Sequence, residues 1–360
     1  MKISPMERKE KKMKKAVVFC LTGMMILGLS ACGSTASVSS TVENSQGSEI
    51  SSSEKSSGED VQEESSEVES SAESSEADLE EDIGEVPEFS KKPTIEETVL
   101  YDENNVRITA TSLQYNNSSV SVALTFENNS DKDLSFVSNS LEYSCNYVND
   151  FMVSEGYVYC DVPSGETAED EASFSYDGML TYGITEMAEV GIGFMISDDD
   201  FNYIYTGSCP IKTSEADTYD FGSENFIETI SSKAVMNAYG YTVPYYTDEA
   251  LYNSDAIEVT SAAFLDKDSD TTLALEVKNL TDATINVQSG DISGNGNILY
   301  DSTWSSNTIN AGKTAIITLR FSSMADSDTE LEEITDASLK LAAYAENGNE
   351  LTSTTLEIAY

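Results

Sequence analysis

The chain has 360 residues and is strongly acidic, with 65 Asp and Glu against 19 Lys and Arg and a net charge of −46. Such a charge repels phosphate groups, so nucleic acid is excluded as a partner. The chain contains no histidine. Nucleophiles activated by histidine and zinc sites built on histidine are therefore excluded as well.

Residues 1–31 have the plan of a signal peptide. Five lysines lie between positions 9 and 15, and an uncharged apolar run extends from Ala16 to Leu29. As a helix this run is about 21 Å long, whereas the hydrocarbon core of a bilayer is about 30 Å thick. We therefore expect a cleaved leader, with translation starting at either Met1 or Met13.

The sequence Leu29-Ser30-Ala31-Cys32-Gly33 resembles the lipobox of bacterial lipoproteins, in which a leucine lies three residues before an invariant cysteine. The resemblance implies cleavage before Cys32 and attachment of diacylglycerol and fatty acid, such as palmitate, to that cysteine. Two or more acyl chains hold a protein stably at a bilayer. The predicted location is thus the extracytoplasmic face of the cell membrane, with the membrane as a partner through the lipid anchor.

Residues 32–92 are predicted to be a disordered tether. Between Ser34 and Ser90 there are 18 serines and 17 acidic residues but only one aromatic residue, Phe89. Such a segment buries too little apolar surface to offset the entropy of ordering. As a flexible coil it would span about 40 Å and hold the folded part away from the membrane. The alternative is a recognition tail for a cationic partner.

An internal repeat dominates the remainder of the chain. Residues 99–113 recur at 250–264, and the match continues in register from 122–128 to 273–279. After a small deletion it resumes with 165–174 against 312–321. A period this long indicates tandem domains. We place them at residues 93–213, the first repeat, and at residues 249–360, the second repeat.

Apolar and polar residues alternate within each repeat, as in the series Val120, Val122, Leu124 and Phe126. A period of two indicates half-buried strands, and turn-rich clusters separate the runs. The predicted fold class is all-β, with two tandem antiparallel β-sandwich domains of immunoglobulin-like plan following the tether.

The order of these pieces resembles the tandem immunoglobulin-like extracytoplasmic domains of clostridial lipoproteins. The residues that carry the resemblance are Val106–Ala110, Glu127–Ser130, Asn149–Met152 and the turns at Gly165 and Gly312. The family supplies no activity that could be transferred, so the resemblance implies only a fold and an address.

Residues 214–248 connect the repeats and are unusually aromatic. Phe226, Ile227, Ile230 and Ala234 have helical spacing, so we expect this connection to pack against one or both repeats. The candidate ligand-binding residues are four of its tyrosines, Tyr239, Tyr241, Tyr245 and Tyr246.

Two acidic clusters are candidate calcium sites, although a solvated hairpin tip is the simpler interpretation of each. The candidate ligands are Asp198, Asp199 and Asp200 in one cluster and Asp266, Asp268 and Asp270 in the other. The second cluster lacks the glycine and the bidentate glutamate of a calcium loop. No cofactor is predicted.

Three cysteines follow Cys32. Cys145 and Cys160 could form a disulfide in an oxidising compartment, but small buried thiols are the alternative for both and for Cys209.

The predicted function is non-catalytic: an envelope lipoprotein that presents its two domains to another envelope protein or to a wall glycan. Gly312-Lys313-Thr314 echoes the end of a nucleotide-binding loop, but Asn307 replaces its first glycine and the first repeat has a plain turn there, so no nucleotide partner is predicted. The alternatives are a calcium-stabilised structural or adhesive protein and a carboxylate-based glycoside hydrolase or its accessory.

Overall fold

The structure is a computed structural model that describes residues 85–89, 91–138, 145–267, 270–298, 304–321 and 334–359. The leader, Cys32 and most of the predicted tether lie outside these ranges. The described part is all-β, as predicted, and antiparallel pairing predominates in its sheets. Within these ranges no helix has both the length and the apolar character needed to cross a membrane.

The first repeat folds into two sheets around one hydrophobic core. Its described strands are β1 (Thr98–Glu103), β2 (Val106–Tyr115), β3 (Ser119–Asn128), β4 (Leu134–Ser138), β5 (Tyr147–Val148), β6 (Phe151–Met152), β7 (Val158–Val162), β8 (Thr167–Ser175), β9 (Glu189–Asp198) and β10 (Tyr203–Lys212). One sheet has the order β1-β2-β3-β8, and the other contains the adjacent strands β7-β4-β9-β10. A short helix, α1 (Tyr176–Leu180), follows β8. Buried side chains of both sheets, such as Phe126 and Phe136, belong to one cluster.

The connection and the second repeat supply the remaining described elements. They are α2 (Phe226–Ser231), α3 (Lys233–Tyr239), β11 (Thr242–Thr247), β12 (Tyr252–Asn253), β13 (Ile257–Lys267), β14 (Asp270–Asn279), β15 (Ile285–Gly294), β16 (Asn297–Ile298), β17 (Trp304–Ile309), β18 (Thr314–Phe321), β19 (Asp336–Ala345) and β20 (Glu350–Ala359). Strands β13, β14 and β18 are neighbours, and β15 pairs with β16, β17 and β19, which in turn pairs with β20. A second hydrophobic cluster lies between these two groups of strands.

The two repeats share their strand pairing as well as their sequence. Strand β2 pairs with β3 as β13 pairs with β14, and the pair formed by Val106 and Asn128 corresponds to Ile257 and Asn279. Strand β4 lies between β7 and β9 as β15 lies between β17 and β19. The immunoglobulin-like plan and the domain limits stay predictions.

A buried asparagine closes the end of β3. Asn128 has no exposed surface, and its Nδ2 donates to the carbonyl oxygens of Lys132 at 2.8 Å and of Val162 at 2.9 Å. Its Oδ1 accepts from the amide and the hydroxyl of Ser130. One side chain thus ties together the end of β3, the following turn and the end of β7.

Asn279 has the same role in the second repeat. It is fully buried, and its Nδ2 donates to the carbonyl oxygens of Ala283 at 2.8 Å and Ile309 at 3.0 Å. Its Oδ1 accepts from the amide and the hydroxyl of Thr281. The Glu-Asn-Asn-Ser turn of the sequence repeat is therefore built around the first of its two asparagines.

The connection packs as its pattern predicts. Helices α2 and α3 place Phe226, Ile230 and Val235 in the core of the first repeat. Strand β11 pairs with β13 of the second repeat. This segment is therefore held by both repeats, which explains its high aromatic content.

A parallel strand pair joins the sheets of the two repeats. Phe151 and Met152 of β6 pair with Thr314 and Ala315 of β18, and the amide of Thr314 donates to the carbonyl oxygen of Asp150 at 2.9 Å. The resulting sheet has eleven strands and runs through both repeats.

Two glycines of β9 leave room for the segment that leads into β6. A Cβ atom on Gly191 would lie 2.0 Å from Cε1 of Tyr147, and one on Gly193 would lie 2.0 Å from Sγ of Cys145. Both distances are far below van der Waals contact. Only glycine lets the segment before β6 lie on this part of β9.

The side chain of Lys313 in the second repeat contacts residues of the first repeat. Its Nζ donates to the carbonyl oxygen of Asn149 at 2.6 Å, lies 3.5 Å from Oε1 of Glu189 and lies 4.2 Å from the ring centre of Tyr147. The Tyr147 hydroxyl donates to the same Glu189 oxygen at 2.8 Å. The lysine of the Gly-Lys-Thr turn therefore contacts the first repeat, as an ammonium between a carboxylate, a carbonyl oxygen and a ring.

Glu224 of the connection meets the same region of the first repeat. Its carboxylate accepts from Nδ2 of Asn149 at 2.6 Å and from the hydroxyl of Tyr219. Burial, with a smaller contribution from the Asp150 carboxylate, raises the pKa of Glu224 to about 7 even though these hydrogen bonds lower it.

Replacing Asn128 by Ala should destabilise the chain by about 3 kcal/mol, because the buried carbonyl oxygens of Lys132 and Val162 lose their donor. Urea unfolding followed by circular dichroism measures this loss. The neighbouring Asn129 is exposed, so Asn129→Ala should change stability by less than about 0.5 kcal/mol. Equal effects of the two substitutions would contradict the role assigned to Asn128.

Glu224→Gln should remove a pH-dependent part of the stability. Because the folded pKa of Glu224 is raised to about 7 from 4.5, its contribution is fully present below pH 4.5 and is lost as the pH rises through 7. Wild type should therefore gain about 3 kcal/mol over Glu224→Gln between pH 8 and pH 4.5. Paired urea titrations at the two pH values measure this gain, and a difference that does not change with pH would contradict it.

Candidate functional site

The outer face of the sheet β7-β4-β9-β10 is the candidate site. Directly paired residues point to the same side of a sheet, so its register defines rows of neighbouring side chains. One row runs Tyr159, Val137, Met195 and Tyr205 across the four strands. The residues that alternate with them on β4 and β9, such as Phe136 and Ile196, point into the first core.

Exposed aromatic side chains are concentrated on this face. We call Tyr157, Tyr159, Tyr203 and Tyr205 the tyrosine face. Phe201 lies in the adjoining turn. Their exposed fractions are 60% for Tyr157, 38% for Tyr159, 50% for Phe201, 44% for Tyr203 and 48% for Tyr205. The other exposed large apolar residues of the described part are scattered along the chain.

The rings lie at a spacing set by the strands. Tyr203 and Tyr205 are two residues apart on β10, and their ring centres are 6.3 Å apart with planes inclined by 16°. Strands β7 and β10 are separated by three strand intervals, about 14 Å. Val137 and Met195 fill the space between as half-buried apolar residues. The result is an apolar strip across the sheet with a tyrosine at each side.

A polar row borders the aromatic row. Asp161, Ser135, Ser197 and Tyr203 are paired across the same four strands. The Ser135 hydroxyl donates to Oδ1 of Asp161 at 2.6 Å. A ligand on this face would meet rings for stacking and, beside them, hydroxyl and carboxylate groups for hydrogen bonds.

Asp198 fixes the turn between β9 and β10. Its Oδ1 accepts from the amides of Asp200 at 2.9 Å and Asn202 at 3.0 Å, and its Oδ2 accepts from the Lys132 ammonium. Lys132, and then Asn202, hold the pKa of the Asp198 carboxyl well below its usual range. The turn is thus pinned by a single carboxylate.

This turn holds Phe201 in a backbone conformation that bulky residues rarely adopt. Its φ is 63°, in the left-handed region. Half of its side chain is exposed. A strained and exposed aromatic residue at the edge of an exposed tyrosine face is typical of a binding site.

The four tyrosines predicted from the connection do not share one surface. Tyr239 and Tyr241 are half-buried against the first core, and Tyr245 is half-buried against the second. Tyr241 also lies under the Lys267 ammonium at 4.8 Å. Tyr246 is exposed. Packing thus occupies most of this aromatic surface, and its ligand-binding role stays a prediction.

Most of the described residues of the two acidic clusters are engaged in hydrogen bonds and ion pairs, and the calcium interpretation stays a prediction. Among the described residues, no group of three or more acidic or cysteine side chains is arranged to hold a metal ion. Asp198 is engaged by the Lys132 ammonium and by amides of its own turn. Asp266 accepts from the Thr271 hydroxyl at 2.7 Å, and Asp270 pairs with Arg320. Asp268 lies outside the described residues.

Of the two alternatives for Cys145 and Cys160, a disulfide or small buried thiols, the structure has the buried thiols. Both thiols are free and buried, as is that of Cys209. Cys160 points into the first core from β7, whereas Cys145 lies over Gly193 on the opposite face of the same sheet. The sheet therefore separates the two sulfur atoms. Burial raises the pKa of both thiols to about 11, which keeps them protonated.

A shallow depression of about 490 Å³ lies on the outer face of the other sheet of the first repeat. Its lining includes Thr111, Gln114, Glu169 and Glu171. All the lining residues belong to strands β2, β3 and β8, so it is a recess in one sheet surface. No reaction is assigned to it.

The tyrosine face was not predicted from the sequence. The sequence signal for it is a spacing of two residues, which occurs between Tyr157 and Tyr159 and again between Tyr203 and Tyr205. Residues two apart on a half-buried strand point to the same side. That spacing shows that each pair shares a face. Only the pairing of β7, β4, β9 and β10 shows that both pairs share the same face.

No family model matches the chain, and no curated protein matches it. Similar solved structures are red sea bream transglutaminase (8% identity, TM-score 0.18), Bacteroides uniformis β-glucuronidase 2 (11%, 0.19) and Amycolatopsis orientalis exo-chitosanase (11%, 0.17). The matches cover 72%, 69% and 66% of this chain. They cover 31%, 27% and 25% of those proteins, so the chain spans less than a third of each. Similarity at this level assigns neither a family nor an activity.

Proposed function

We propose that this chain is a lipid-anchored, non-catalytic binding protein of the cell envelope, and that it binds its ligand through the tyrosine face. The observation that supports the proposal is the concentration of exposed aromatic side chains on one sheet surface. Large exposed aromatic groups are costly in a chain that could place polar residues there, and they are enriched where proteins bind partners.

The shape of the site favours binding over a reaction. The four tyrosines and the apolar residues between them lie on one sheet face, which offers area for stacking and for excluding water. Tyrosine loses little conformational freedom on binding, so each ring contributes contact area at small entropic cost.

The envelope location rests on the leader and the lipobox. An apolar segment followed by Leu29-Ser30-Ala31-Cys32 supports lipidation of Cys32 and retention outside the cytoplasmic membrane. The Ser/Glu-rich segment after it supports a tether that lets the folded part reach its ligand away from the bilayer.

Removing three of the four rings of the tyrosine face should weaken binding to the envelope. The triple variant Tyr159→Ser, Tyr203→Ser and Tyr205→Ser should bind envelopes of the source bacterium, freed of the native protein, at least tenfold more weakly than wild type, because each ring is a candidate hot spot. Sedimentation of the labelled chain with the envelopes measures this binding.

Tyr246→Ser is the matched control, because it removes an equally exposed tyrosine from the connection. It should leave binding unchanged. If Tyr246→Ser weakens binding and the triple variant does not, the ligand binds the connection and the proposal for the tyrosine face is wrong.

Lipidation is tested separately. A clickable fatty acid fed to cells should label the wild-type chain, and Cys32→Ala should remove the label, because Cys32 is the proposed site of acylation. Cys209→Ala is the control and should keep it. Label that persists in Cys32→Ala would contradict the anchor without bearing on the tyrosine face.

A further inference from the structure

We infer that the ligand of the tyrosine face is a basic polypeptide segment, whose Arg and Lys side chains stack on the tyrosines and pair with the aspartates around them. This inference rests on the proposed function and specifies the chemistry of its ligand. It is carried by three observations: the charges that border the face, a contact of the same kind inside the molecule, and the charge of the whole chain.

The border of the tyrosine face is acidic. Asp161 lies on the face itself, two residues after Tyr159 on β7, and is exposed. Asp199 and Asp200 are exposed in the turn that precedes Tyr203. Lys132 is the basic residue beside this turn, and its ammonium already contacts Asp198 and Asp200. Negative charge therefore predominates around the rings.

Lys313 shows how this chain binds an ammonium group. It lies 4.2 Å from the ring centre of Tyr147 and 3.5 Å from a carboxylate oxygen of Glu189. A tyrosine ring and a carboxylate on neighbouring outward positions of one sheet face thus form a cation site between the two repeats. Tyr159 and Asp161 present the same two groups on the tyrosine face, at exposed positions.

Charge complementarity selects among the possible occupants. The chain carries a net charge of −46, which attracts basic partners over long range and repels acidic ones. A second copy of this chain would bring the same negative charge to the face. An uncharged glycan could stack on the rings, but it would derive nothing from the charge of the aspartates.

The test uses the full-length chain, extracted in a polyoxyethylene detergent, and three probes. These are a short peptide of alternating Arg and Ser, the peptide with Glu in place of Arg, and an uncharged oligosaccharide of N-acetylglucosamine. Isothermal titration calorimetry should show binding of the Arg peptide alone. Its affinity should fall at least tenfold when salt is raised from about 0.05 M to about 0.5 M, because screening weakens exposed charge pairs.

Variants separate the face from the overall charge. Tyr159→Ser with Tyr205→Ser should weaken binding of the Arg peptide at least tenfold, and Phe at both positions should restore most of it, because a phenyl ring also attracts cations. Asp161→Asn should weaken binding severalfold. Asp282→Asn removes the same charge from an exposed position in the second repeat and should have no effect.

Binding of the oligosaccharide but not of the Arg peptide would overturn the inference, as would binding of none of the three probes. Equal losses with Asp161→Asn and Asp282→Asn would also overturn it, because the peptide would then be responding to net charge. None of these results bears on the envelope assay, in which the tyrosine triple variant tests the proposed function on its own.

Discussion

The segment with Cys145 and Tyr147 lies directly on two glycines of β9. This close approach determines which part of the outer sheet face of the first repeat is covered by other chain segments and which part is exposed. With no Cβ at Gly191 or Gly193, Tyr147 and Cys145 lie directly on this end of the strand. The segment they belong to continues into β6, which pairs with β18 of the second repeat. Further along β9 the outward residue is Met195, and beside it the tyrosine face is exposed. One strand therefore serves as the contact between repeats at one end and as the floor of the candidate site at the other.

The two repeats show how one plan is adapted to two purposes. Each repeat has a buried asparagine whose side chain donates and accepts hydrogen bonds in the same pattern. The backbone amide of that asparagine donates to the carbonyl oxygen of the residue after the turn glycine, which is Glu166 in one repeat and Lys313 in the other. The backbone of the turn is thus conserved between repeats while its side chain differs. In the second repeat that side chain is a lysine that reaches Glu189 of the first. At this position a lysine in place of a glutamate adds an ion pair to the contact that the β6–β18 strand pair makes between the repeats.

Sequence patterns predicted the local structure well and the arrangement of side chains between strands poorly. Alternation of apolar residues predicted the strands, and the spacing of Phe226 and Ile230 predicted a helix that packs on the core. These are properties of neighbours along the chain. The tyrosine face depends instead on the register of four strands that are distant in sequence, which no single-strand pattern contains. For the same reason the ligand-binding residues were predicted in the connection, which is rich in aromatic residues. Packing buries much of the ring surface there. The sequence left a Cys145–Cys160 disulfide open as one alternative, and the strand arrangement excludes it, because Cys160 faces the core and Cys145 lies on the opposite face of the sheet.

The chain has few basic residues, and several of them fix turns or join the repeats. Several of the described basic residues form specific pairs: Lys132 holds the β9–β10 turn, Lys313 joins the repeats, and Arg320 pairs with Asp270. Exposed pairs of this kind contribute little to stability, but they fix the geometry of turns and contacts. The carboxylates they leave over, such as Asp161 and Asp199, remain at the surface beside exposed rings. The negative charge beside the tyrosine face is therefore complementary to a cation that comes from another molecule.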